Sequence, residues 1–165
     1  MSKLLLPPEI VELEAAAKVI FLAGPIQGAI DWQSQAVEYL QTLTEEIYLA
    51  NPRRHYLGDD FFYEAQVDWE THYLRRAAAK GTILFWLSAE HSHHPQRAYA
   101  QTTRFELAEW KIRAERDQVN LVLGIEAGFS NSRYIRRRFA QDAPRVPILD
   151  DLDQTCQKAV ELAQV

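Results

Sequence analysis

Cysteine is almost absent from the chain: Cys156 is the only one in 165 residues. A single thiol excludes an internal disulfide and suits a reducing compartment, so the cytoplasm is the expected address. Glycine and proline are sparse, at 6 and 7 residues, which excludes a collagen-like or low-complexity chain. An excess of positive charge is missing as well. The 18 Lys and Arg residues against 23 Asp and Glu leave a formal net charge of −5, so polymeric nucleic acid and anionic membranes are poor default partners. Long apolar runs are also missing. The Leu4-Leu5-Leu6 run is too short for a signal peptide, and no later run approaches the ~20 residues of a membrane span. What is present is 47% hydrophobic, 25% charged and 11% aromatic, an ordinary globular composition, and the length predicts one domain over residues 1–165.

Pro7-Pro8 sets off residues 1–17 as an N-terminal extension, in which residues 9–18 carry helix formers and are expected as a short surface helix. Residues 19–23 (Val-Ile-Phe-Leu-Ala) read as a buried strand ending at Gly24-Pro25. Residues 47–50 make a second strand, broken by Asn51-Pro52. The strongest strand signal is residues 82–87 (Thr-Ile-Leu-Phe-Trp-Leu), whose lack of alternation is that of a parallel strand covered on both faces. Residues 119–125 and 146–149 complete five strands. Helices are expected over residues 31–46 with Asp31 as N-cap, 61–80 ended by Gly81, 102–118, 133–141, and 151–163 capped by Asp150 or Asp151. Alternating strands and helices imply a three-layer α/β/α sandwich on a five-stranded parallel sheet. Ligands then bind beyond the carboxyl ends of the strands, which directs attention to the loops after Ala23, Leu87 and Ile125.

Three stretches carry candidate chemistry. Gly24-Pro25-Ile26-Gln27-Gly28 is either a tight βα turn or a loop whose amides receive an anion or a polar sugar group. It matches neither the dinucleotide-binding nor the P-loop pattern, so no nucleotide cofactor is expected. Gln66, Trp69 and Glu70 share one helical face, where an amide, a flat apolar ring and a carboxylate suit a heterocyclic base; the alternative is a core tryptophan beside a solvated charge. In Thr102-Thr103-Arg104-Phe105-Glu106, Thr103 and Glu106 have capping-box spacing, and the alternative is a catalytic carboxylate. His91, His93 and His94 lack the partner spacing of a zinc site, so no metal is expected. Arg136-Arg137-Arg138 reads as a solvated face or a contact between subunits.

Taken in order, Phe21-Leu-Ala-Gly-Pro-Ile26, Trp32, Gln66-x-x-Trp69-Glu70, Phe85-Trp86 and Thr102-Thr-Arg-Phe-Glu106-Leu resemble the nucleoside 2-deoxyribosyltransferase-like family, from about Val19 to the last helix. The resemblance implies a flavodoxin-like or Rossmann-like sandwich, usually assembled as dimers or larger oligomers with active sites near subunit contacts. It implies a pentosyltransferase without cofactor that acts on a nucleoside or nucleotide and a free nucleobase. By position the attacking glutamate is Glu106, with Glu70 as acid/base. Gly24, Pro25, Gln27, Gly28, Trp32, Gln66, Trp69 and Thr103 are then the substrate-binding residues, Trp32 and Trp69 stacking on the base and the Gly24 loop facing the sugar. Classical members carry two aspartates that here fall near His72 or Tyr73 and near Ala100, so Glu70 or Asp68 would substitute; the Gln-x-x-Trp-Glu motif marks a divergent branch. Two other readings keep the same pocket: an N-glycosidase that uses water as acceptor, and a nucleotide-binding module without chemistry.

Overall fold

Apolar side chains alternate across each central strand, and the alternation sorts the core into two halves. In the computed structural model, which describes residues 3–54 and 62–165, β2 (Val19–Ala23), β4 (Gly81–Leu87) and β5 (Leu121–Ile125) are almost wholly buried. Val19, Phe21, Ile83, Phe85, Leu121 and Leu123 point to one side, and Ile20, Leu22, Leu84, Trp86 and Val122 to the other. The first side is covered by α2 (Tyr63–Ala79), α3 (Gln101–Asp117) and α4 (Ser132–Asp142). The second is covered by α1 (Trp32–Leu43) and α5 (Leu152–Gln164). This is the expected three-layer α/β/α sandwich. Asp31 caps α1 by accepting from Ser34 N at 3.1 Å, and Asp151 caps α5 by accepting from Gln154 N at 2.9 Å. Phe61, where the second helix was expected to begin, lies outside the described residues, as do Met1 and Ser2 of the extension.

Among the described residues the sheet has six parallel strands rather than five, in the order β1-β3-β2-β4-β5-β6. The added strand, β1 (Leu4–Leu5), pairs with the edge of β3 (Tyr48–Ala50), and β6 (Ile148–Leu149) closes the opposite edge. The chain runs outward from β2 to β3 and then crosses back to β4, so a topological switch opens between the carboxyl ends of β2 and β4.

The surface helix expected over residues 9–18 does not form. Apart from one turn, in which Ala17 N donates to Glu14 O at 3.0 Å, its backbone groups bond mainly to side chains of α2. Trp69 Nε1 donates to Glu9 O at 3.0 Å, Val11 N donates to Tyr73 Oη at 2.9 Å, and one Arg76 nitrogen donates to the carbonyls of Glu14, Ala15 and Ala17 at 2.6, 3.1 and 2.8 Å. The segment therefore straps the helix that carries Gln66 and Glu70. Arg76→Ala removes all three carbonyl bonds and is expected to lower stability by about 2 kcal/mol. Urea denaturation checks this, and an unchanged midpoint would contradict it.

Candidate active site

At the switch point a cleft of about 300 Å³ opens, within the usual range for small-molecule sites. Its floor is the turn after β2, where Gly24, Pro25 and Gln27 face the space. Gly24 is fixed by close approach: a Cβ there would lie 2.3 Å from Trp86 O and 2.7 Å from Trp32 Cζ2. Gly24→Ala is therefore expected to displace the turn and to lower stability by ~1–3 kcal/mol together with ligand affinity. Denaturation and ligand titration of that variant check it; a variant indistinguishable from wild type would contradict the packing argument.

One wall is α2. Gln66 Nε2 donates to Glu70 Oε1 at 2.6 Å and to Pro52 O at 3.1 Å, while Gln66 Oε1 accepts from Arg54 Nε. This relay orients Glu70 toward the cleft. Burial raises the Glu70 carboxyl above its ordinary range, opposed by the Gln66 hydrogen bond and the charge of Arg54. Tyr63 and Val67 extend the same wall one turn earlier.

The other wall is the start of α3. Its N-cap is Ala100, held in the left-handed region at φ 56°, and no side chain caps the helix. Thr103 and Glu106 thus form no capping box, and Glu106 turns into the cleft. Burial pushes its carboxyl up to about 8, with further repulsion from Glu70 and Glu109. Two carboxyl groups from facing helices therefore share one enclosed space and feel each other's charge.

The loop between β4 and α3 completes the rim. Glu126 Oε2 accepts from Ser88 Oγ at 2.8 Å and from Ala89 N at 2.7 Å, and Tyr99 Oη donates to Ser88 O at 2.8 Å, which fixes the end of β4. Further on, Gly28 O accepts from the amides of His91 and Ser92 at 2.7 and 3.0 Å and ties this loop to the turn after β2.

These contacts redistribute the residues singled out in the sequence. Gly24, Pro25, Gln27, Gln66, Glu70, Thr103 and Glu106 come together around the cleft. Gly28 lies behind it, holding the loop. Trp32 and Trp69 do not line the cleft and are 0% exposed, so neither presents a face to a base. Trp32 Nε1 donates to Pro25 O at 2.9 Å and props the turn from beneath. Trp69 packs against Phe21 and Tyr73, with ring centroids 6.0 and 4.8 Å apart. The loop after Ile125 contributes no wall; Arg104 is drawn toward it, donating to Ser130 Oγ at 2.7 Å with its guanidinium over Phe129. Arg54, Tyr63, Arg97 and Tyr99 were missed. The break after Ala50 signalled another carboxyl-end loop, which was the available clue to Arg54. Among the described residues, no group of three or more His, Cys, Asp or Glu side chains is placed to hold a metal ion.

Comparison with protein families decides the lineage: residues 17–125 match the family described as nucleoside 2-deoxyribosyltransferase like. The chain belongs to this family. The matched stretch covers the turn after β2, Glu70 and Glu106, so the whole two-carboxylate cleft falls inside it. Comparison with curated proteins gives no match. Membership in the nucleoside 2-deoxyribosyltransferase-like family suggests glycosyl transfer or a related nucleoside-processing role. No helix among the described residues is long and apolar enough to cross a membrane.

Proposed function

We propose that the protein moves a (deoxy)ribosyl group between nucleobases through a covalent glycosyl ester on Glu106. The observation that carries this reading is the pair of facing carboxyl groups, Glu70 and Glu106, in the cleft of a family member. A retaining transfer needs one carboxylate to attack and one proton for the departing base, so the pair must hold a single proton between them. Their electrostatics support that state near neutral pH. Burial and the Glu70 charge favour the protonated form of Glu106, whereas at Glu70 the effect of burial is opposed by Gln66 and Arg54, which favour its charged form.

Positive charge develops on the anomeric carbon as the glycosidic bond stretches, and this favours ionisation of Glu106. The proton passes to Glu70. The Glu106 carboxylate then bonds to the anomeric carbon while the carbon–nitrogen bond breaks, and the base leaves with the proton from Glu70. In the second half an incoming base attacks the same carbon, gives its proton to Glu70, and releases Glu106 as a carboxylate. Tyr63 and Val67 offer the base the apolar surface that Trp32 and Trp69 do not. Tyr63 on the cleft wall and Phe105 beside Glu106 are 66% and 76% exposed, apolar surface that supports a homo-oligomer with its sites near the contacts.

The test is chromatographic product analysis with deoxynucleosides and their monophosphates, each with and without a second free base. New nucleoside that depends on the acceptor base is expected. Free sugar alone would replace transfer with hydrolysis, and no turnover would leave a binding module. The pH profile gives a second check. Above about pH 8 both carboxyl groups are ionised and no proton remains for the leaving base, so kcat/KM is expected to fall along an alkaline limb centred near 8. A rate still rising through pH 9 would contradict the shared proton.

A further inference from the structure

We infer that the N-terminal segment, residues 3–17, sets the position of Glu70 in the cleft, with Tyr73 as the positioning residue through which it acts. The inference rests on the glycosyl-transfer reading, in which Glu70 must come within hydrogen-bond reach of the departing base. Residues 3–16 precede the stretch matched to the family, yet they reach the supports of the Glu70 carboxyl from two directions.

The first direction is the sheet edge. Leu49 N donates to Lys3 O at 2.8 Å and Asn51 N donates to Leu5 O at 3.0 Å, so β1 holds the chain at the carboxyl end of β3. Pro52, the next residue, supplies the carbonyl that accepts from Gln66 Nε2 at 3.1 Å, and the same nitrogen donates to Glu70 Oε1 at 2.6 Å. β1 thus anchors the backbone from which the Gln66–Glu70 relay is hung.

The second direction is along α2. Trp69, Tyr73 and Arg76 follow one another at intervals of four and three residues and form one stripe beside that of Gln66 and Glu70. All three bond the backbone of the segment, Trp69 at Glu9 O, Tyr73 at Val11 N and Arg76 at three carbonyls. Leu13 packs against the apolar cluster that holds Trp69 and Tyr73. Apolar packing keeps α2 on the sheet but is non-directional, so the rotation of the helix about its axis is left to these hydrogen bonds. The helix start adds none, since its N-cap Phe62 makes no side-chain bond. Repulsion between Glu70 and Glu106 across the cleft acts on the same joint. Trp69 and Tyr73 lie within one turn of Glu70, and Tyr73 is the one whose bond can be removed while its buried ring stays packed.

The experiment compares transfer kinetics of the full chain with those of Tyr73→Phe, Arg76→Ala and Asp151→Ala. The last loses the cap of α5, where Asp151 accepts from Gln154 N at 2.9 Å, and serves as a control for lowered stability alone. Tyr73→Phe is expected to lower kcat about tenfold with deoxynucleosides whose base must be protonated to leave, and little with one whose base leaves as an anion. KM should stay within about twofold of wild type. Arg76→Ala should lose activity in the same pattern, and Asp151→Ala should not; Arg76 is only half-buried, so its variant keeps the test decisive if Tyr73→Phe does not fold. An NMR titration of the Glu106 carboxyl reads the same displacement without turnover. A Glu70 turned away from Glu106 repels it less, so Glu106 should titrate lower in both α2 variants than in wild type. Losses equal across leaving groups, or a Glu106 titration unchanged in both variants, overturn the inference, as does an Asp151→Ala that reproduces the pattern. An inactive wild type refutes transfer, and the titration then decides the role of the segment. Active variants with the leaving-group pattern and titration of wild type refute that role alone.

Discussion

Glu106→Gln is expected to lower turnover by about a thousandfold or more and, at the same time, to make the protein more stable at neutral to alkaline pH. The first effect follows from replacing the attacking carboxylate with an amide that forms no glycosyl ester. The second follows from the raised carboxyl. A free glutamate ionises near 4.5, but in the fold Glu106 holds its proton to about 8. Between those values the native state binds more protons than the unfolded one, so stability falls as pH rises. Glu106 therefore imposes no ionisation penalty below about 4.5, a growing one up to about 8, and a constant one above. The size is of the order of a few kcal/mol. Glutamine has nothing to ionise, so the variant should lack that slope. Parallel urea denaturation of both proteins from pH 5 to pH 9 checks the claim; curves that stay parallel would mean that Glu106 is solvated and not enclosed by the cleft.

Glu70→Gln removes the proton donor and is expected to lower turnover by about 10²–10⁴-fold. The loss should depend on the leaving group. A nucleoside whose base departs readily as an anion needs no acid, so the variant should recover most of its rate with such a substrate. The same substitution also changes Glu106, because the Glu70 charge is one of the causes that hold the Glu106 carboxyl high. Its titration should move down, staying above the ordinary range because burial remains. An NMR titration of the Glu106 carboxyl measures the shift. Equal losses with good and poor leaving groups would give Glu70 a structural role in place of an acid one.

The sequence was most informative where burial dictates composition. Residues 82–87 carry apolar side chains on both faces and became the central strand β4, and Asp31 and Asp151 cap the helices they precede. It was least informative where a segment's partner lies far along the chain. Residues 9–18 contain helix formers, but the three carbonyls that bind Arg76 are about sixty positions away from it, and that pairing overrides local propensity. Leu4 and Leu5 likewise read as a short apolar run until the open edge of β3 gives them a partner.

The site shows the same division. Glu106 was legible as a carboxylate near the carboxyl edge of the central strand, and Glu70 as a carboxylate on one helical face with Gln66. The depth of a tryptophan was not, because a ring that stacks on a base and a ring that props a turn from beneath have the same periodicity. Trp32 hydrogen-bonds Pro25 O and is sealed beneath the turn. Thr103 and Glu106 had the spacing of a capping box, but the left-handed Ala100 begins the helix without one and leaves both side chains to the cleft.

The central claim is that Glu106 becomes glycosylated. Incubation with a deoxynucleoside or its monophosphate, a rapid acid quench and peptide mass spectrometry test it directly. The account predicts a pentosyl adduct on the peptide carrying Glu106, absent from Glu106→Gln and discharged by added free base. An adduct on another residue, or full transfer activity in Glu106→Gln, would contradict it.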